Sequence, residues 1–154
     1  MPDRKTMAAE YGRLLKAHAL PSYAELAEFD LDAIPHDTTH PLREVAKKIF
    51  ERTDSFRKIV EGLLQPEGIS DMQEAEALSA QNEEIAAILR QLMRIDRELL
   101  LAELDNGEAA YAGFVRDAVP AWNALKPRIA AVGKRLVACW ERSTSAKGTL
   151  HYLG

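Results

Sequence analysis

With a single cysteine, Cys139, the chain can form no internal disulfide, which fits a reducing compartment. Aromatic residues make up only 6% of its 154 residues, so a core must be built mainly from aliphatic side chains. No apolar run approaches the ~20 residues of a membrane-spanning helix. The opening residues 1–6, MPDRKT, lack the apolar stretch of a signal peptide, so a cytoplasmic protein without a membrane partner is expected. An excess of one charge is missing as well. The 24 acidic and 20 basic groups leave −4, far from the imbalance that marks nucleic-acid coats or disordered tails. There is no glycine-rich phosphate loop, no cysteine pair and no serine nucleophile elbow. Strand-like alternation of apolar and polar residues is absent too.

What the chain does have is apolar residues at steps of three and four. Met7, Ala8, Tyr11, Leu14, Leu15 and His18 share one helical face, predicting a first helix from Asp3 to His18 that Pro21 stops. Ser22 and Glu25 have the spacing of a capping box that opens a short helical turn through Phe29. Leu42, Ile49, Phe56 and Leu63 recur every seven residues, with Val45, Ala46, Ile59 and Val60 between them, predicting a second helix from Pro41 to about Gln65. Pro66 and Gly68 break it, and Ser70 with Gln73 offers the next capping box. Leu78, Ile85, Leu92 and Leu99, with Ile88, Ile95 and Ala102, define a third helix to about Leu104. The turn Asp105-Asn106-Gly107 ends it, because Asn and Gly tolerate left-handed backbone. Tyr111, Val115, Ala118, Trp122, Leu125, Ile129, Val132, Leu136 and Cys139 keep one phase across Pro120 and Pro127. A single fourth helix, kinked at the prolines, is therefore expected to about Arg142.

Short links between long helices make neighbours antiparallel, so the pattern predicts an all-α, up-and-down bundle of three long helices plus an N-terminal helix. One domain spans residues 1–154: residues 1–40 form an N-terminal helix and irregular cover, 41–142 the long-helix bundle, and 143–154 a tail. The third and fourth helices are longer than the second and should overhang it near the Asp105 turn, with residues 1–40 covering Leu100, Leu101, Leu104 and Phe114.

Chemistry is thin. His36 and His40 have the spacing of a metal pair on a helix, but Pro35 and Pro41 flank them and push the backbone away from helical angles. His40 fits better as the cap of the second helix, with Pro41 at its first turn. A loop site would need Asp37 and a further ligand from Asp30 or Asp32. None of the four histidines is preceded at three residues by glutamate, as a di-iron carboxylate bundle requires. The pair Glu83-Glu84 would need a carboxylate at 87 for a magnesium site on one helix face, and Ala87 stands there. No catalytic residue, cofactor or metal is expected.

Two features point to partners instead. Arg128, Arg135 and Arg142 form a row at seven-residue spacing that, with Lys126 and Lys134, resembles a phosphate-binding stripe and supports nucleic-acid association as a second reading. Folding the chain at 105–107, however, sets Arg128 beside Glu84 and Arg142 near Asp71, and the third helix carries nine acidic groups against three arginines between 71 and 105. Complementary flanks account for the stripe without a ligand. The third helix is apolar over more than half its circumference, as expected of a central helix or of a dimer interface. The last residues carry Leu150, Tyr152 and Leu153 after a polar spacer, 143–148, and are expected to dock on the bundle's far end near Trp140 or on a partner. Trp122, Trp140 and Cys139 are read as core positions. The leading expectation is a non-enzymatic module that binds another protein or a second copy of itself, as a homodimer.

Overall fold

A computed structural model describes residues 7–35, 37–64 and 72–153, with the side chains of 72–75, 77, 78 and 142–153 outside the description. The elements are α1 (Met7–His18), two 3-10 turns (Ala24–Phe29 and Leu31–Ala33), α2 (Pro41–Leu63), α3 (Met72–Asp105) and α4 (Glu108–Leu153). The described residues contain no strand, and the three long helices form an up-and-down antiparallel bundle.

Local chemistry sets most of the boundaries. Ser22 and Glu25 close the capping box in both directions: the Ser22 amide donates to Glu25 Oε2 at 2.8 Å, and the Glu25 amide donates to Ser22 Oγ at 3.3 Å. His40 precedes α2 with Pro41 in its first turn. Asn106 takes left-handed backbone at φ 61° and its amide closes onto the Ala102 carbonyl at 2.8 Å, ending α3. Gly107 follows because a Cβ there would lie 2.8 Å from Asp105 Oδ1, the atom that accepts the Gly107 amide. The Ser70–Gln73 capping box lies outside the described residues.

α4 passes through both prolines. Pro120 and Pro127 cannot donate to the carbonyls of Arg116 and Asn123, and all four residues face solvent, where water satisfies the freed groups. Nor does the helix stop at Arg142. Residues 143–148, expected as a polar linker, continue α4 to Leu153, since serine, threonine and alanine on an existing helix cost less than a new nucleus.

The core runs along α2, α3 and α4: Leu42, Val45 and Ile49 meet Ile88, Leu92, Ile95 and Leu99 from α3 and Val115, Ala118 and Trp122 from α4. Ile59, expected in the α2 seam, is 61% exposed, while Thr53, which the apolar pattern did not include, is fully buried.

The overhang is at the opposite end from that expected. Arg43, at the start of α2, reaches Glu103 at 3.4 Å, so α2 begins level with the Asp105 turn. Phe56 packs on Trp122 with ring centroids 5.2 Å apart. That register puts Leu63 level with Ile129, leaving Trp140 roughly 16 Å beyond the end of α2 at 1.5 Å per residue. Trp140 is accordingly 58% exposed rather than a core residue, whereas Trp122 and Cys139 are buried.

Residues 7–35 cover the groove between α2 and α4. Tyr11, Leu14, Leu20, Leu26, Phe29, Leu31 and Ile34 are buried there, along with Phe114 of α4. Polar ties hold the segment down: the Tyr11 hydroxyl donates to the Pro21 carbonyl at 2.6 Å, and Arg116 Nη1 to the His18 carbonyl at 3.0 Å. His18 Nε2 lies 3.1 Å from Glu108, and Lys126 Nζ donates to Glu28 Oε2 at 2.9 Å. Leu100, Leu101 and Leu104, which this segment was expected to cover, are left open on α3.

Candidate functional site: the outer face of the third helix

α3 carries two apolar seams, one buried and one not. Ile85, Leu92 and Leu99, with Ile88, Ile95 and Ala102, face α2 and α4 and are buried. Turned about 180° away, a second seam at steps of four and three holds Ala86, Arg90, Met93, Arg97, Leu100 and Leu104, with Leu101 beside it. Leu100 is 59% exposed, Leu101 66% and Leu104 75%, and Arg90, Arg94 and Arg97 are exposed on the same side. Three open leucines within two turns form a contiguous apolar patch, the kind of surface that marks a contact site rather than scattered surface residues.

Ion pairs bound the patch on both flanks. Toward α2, Arg43 meets Glu103, and Arg57 joins Asp54 at 2.8 Å, Glu61 at 2.9 Å and Asp96 at 2.9 Å. Arg57's hydrogen bond holds the Asp54 carboxyl below its ordinary value, while burial pushes the Asp96 carboxyl up against the pull of Arg57. Asp96 Oδ1 is buried with no hydrogen-bond partner among the described residues. Nothing in the heptad pattern singled out this cluster. Its trace in the sequence is the Asp54, Arg57, Glu61 spacing of three and four on one helix. Toward α4, Arg94 pairs with Glu98 at 3.0 Å.

The basic stripe is partly taken up by the fold. Arg128 clamps Glu84 with Nε at 2.7 Å and Nη2 at 3.2 Å, the pairing expected from folding the chain at 105–107. Its hydrogen bonds hold the Glu84 carboxyl below its usual range. Lys126 is tied to Glu28, Lys134 and Arg135 are exposed, and the Arg142 side chain lies outside the described residues together with its expected partner Asp71. Because the Arg128–Glu84 side chains are 41% and 37% exposed, solvent screening keeps the pair weak. A double-mutant cycle with Glu84→Gln and Arg128→Met should give a coupling of only ~0–1 kcal/mol at pH 7. A carboxyl whose folded pKa is depressed stabilises above its unfolded value, so that coupling should fade as pH drops through the folded value. Chemical denaturation at pH 7 and pH 3 checks both points.

His36 lies outside the described residues, Asp32 accepts the Tyr23 hydroxyl, and the described residues contain no group of three or more His, Cys, Asp or Glu side chains placed to hold a metal. Leu150, Tyr152 and Leu153 lie on the last turns of α4, their side chains outside the description. The Glu84–Arg128 register sets Trp140 level with Met72, so those turns extend past the start of α3 rather than folding back. No described helix is long and apolar enough to cross a membrane. No family model, curated protein or solved structure matches the chain.

Proposed function

We propose that this chain is a non-enzymatic docking module of the cytoplasm, which binds a protein partner or a second copy of itself through the outer face of α3, with the end of α4 as a further contact surface. The carrying observation is the open patch Leu100, Leu101 and Leu104 beside a fully formed core: α3 already fills its structural role with its inner seam, and the outer leucines add nothing to it. Exposed leucines are costly to solubility unless something covers them. Nucleic-acid association has narrower support, since Lys126 and Arg128 are already engaged by Glu28 and Glu84.

A photo-crosslinking amino acid at Leu104 tests the reading in native cells. It should capture a protein, whether another chain or a second copy, while the same probe at exposed Glu51 on α2 should not. Equal capture at both positions, or none at Leu104, would refute the docking face.

A further inference from the structure

Resting on that reading, we infer that the occupant of the α3 outer face is a second copy of this chain, paired antiparallel through Leu100, Leu101 and Leu104. The argument is charge complementarity along one helix. On the N-terminal side of the leucines the face carries the exposed Arg90 and Arg97, with Arg94 already paired to Glu98 beside them. On the C-terminal side come Asp105 and the negative end of the α3 dipole, with no basic residue in the helix's last turn to neutralise it. A parallel pair would set arginines on arginines and acidic ends together. An antiparallel pair sets each basic side against the other copy's acidic end, with the leucines between them.

The seam spacing selects a register. With Leu100 of one copy against Leu104 of the second copy, both leucine layers close across a two-fold axis near position 102. Arg97 then falls level with Gly107 of the second copy, where its guanidinium meets Asp105 and the free carbonyls that end α3. Among the described residues Arg97 has no ion-pair partner within its own chain, so its charge is available for this contact, while Arg90 falls beyond the end of the second copy's α3 in this register. The patch is modest beside the ~800 Å² per partner of a standard interface. Association is therefore concentration-dependent, with a dissociation constant on the order of 10 μM.

Sedimentation velocity of the full chain from about 0.5 to 500 μM, which brackets that constant on both sides, should show the mass rising from monomer toward dimer. Leu101→Glu combined with Leu104→Glu should hold it monomeric throughout with an unchanged melting temperature, and Arg97→Glu should weaken dimerisation about tenfold. Orientation is read separately, from a spin label on Cys replacing exposed Glu83 in a Cys139→Ala background. The register puts the two labels roughly 57 Å apart along the axis, against under about 30 Å for a parallel pair. A chain monomeric at 500 μM, or a dimer indifferent to the leucine changes, would overturn self-pairing, and a short label distance would overturn the antiparallel arrangement. A monomer in the centrifuge that still crosslinks a different protein from Leu104 would sink the self-pairing alone; no crosslink at all would remove the docking face with it.

Discussion

Replacing Trp122 by alanine should be among the most damaging single changes to this protein, costing about 3–5 kcal/mol. Trp122 is 1% exposed, packs on Phe56 from α2, and donates its indole N–H to Glu28 of the N-terminal segment. One side chain thus joins α4, α2 and the cover over their groove. Removing it leaves a cavity where three elements meet and leaves Glu28 with Lys126 alone. For a chain of this size each kcal/mol shifts Tm by roughly 2–4 °C, so thermal denaturation should show a loss of about 6–20 °C. Trp122→Phe is the milder change, because it keeps a ring against Phe56 and loses the hydrogen bond together with the smaller volume of the pyrrole ring, at about 1–3 kcal/mol. A loss below about 1 kcal/mol for the alanine variant would mean that the cover and α2 close over the gap without Trp122.

Arg57→Met should cost about 2–3 kcal/mol at pH 7 and much less at pH 4, a pH dependence that loss of packing alone would not give. Arg57 serves Asp54, Glu61 and Asp96 at once, and its side chain is only 24% exposed. Without it Asp96, already pushed up by burial and with Oδ1 unpartnered, becomes a half-buried carboxylate with no counter-ion. A carboxyl whose folded pKa is raised is penalised only in its ionised form, so that penalty is full above the folded value and absent below the unfolded one. Asp54 acts in the same sense. Its carboxyl is depressed by Arg57, so the stability it contributes is full above the unfolded value, is lost only as pH falls through the lower folded value, and is what the substitution removes. Both effects shrink on acidification. Urea midpoints for the two proteins should converge between pH 7 and pH 4 as the Asp96 penalty disappears, and further below pH 4 as Asp54 titrates, and a gap that stays constant would show that Arg57 acts through its aliphatic stem instead.

Much of this architecture is written in local chemistry. The starts of α2 and α4, the stop of α3 at Asn106 and the capping box at Ser22 follow from residues that accept or refuse particular backbone angles, and such preferences act within a turn or two of chain. The Glu84–Arg128 pairing was legible for a related reason: a two-residue link between antiparallel helices leaves one register, so each residue of α3 has a determined neighbour on α4. The candidate site was half legible. The breadth of α3's apolar surface showed in its composition, but not which part of it would stay open.

That part was decided only by the tertiary structure. Periodicity states which residues share a face and says nothing about which faces find a partner. With α2 level with the Asp105 turn and residues 7–35 seated in the α2–α4 groove, the cover lies on the side of the bundle away from α3, and Leu100, Leu101 and Leu104 are uncovered. The same register ends α2 well short of Trp140, and this residue, one position past the buried Cys139 of the seam, is on the surface. The helix pattern by itself determined the order of the helices, the stop of α3 and the α3–α4 hairpin, though not the end of α4, because the first three depend on neighbours in sequence. The register of α2 and the seat of the N-terminal segment depend on which distant apolar surfaces bury best together, and that competition is settled only in the packed fold.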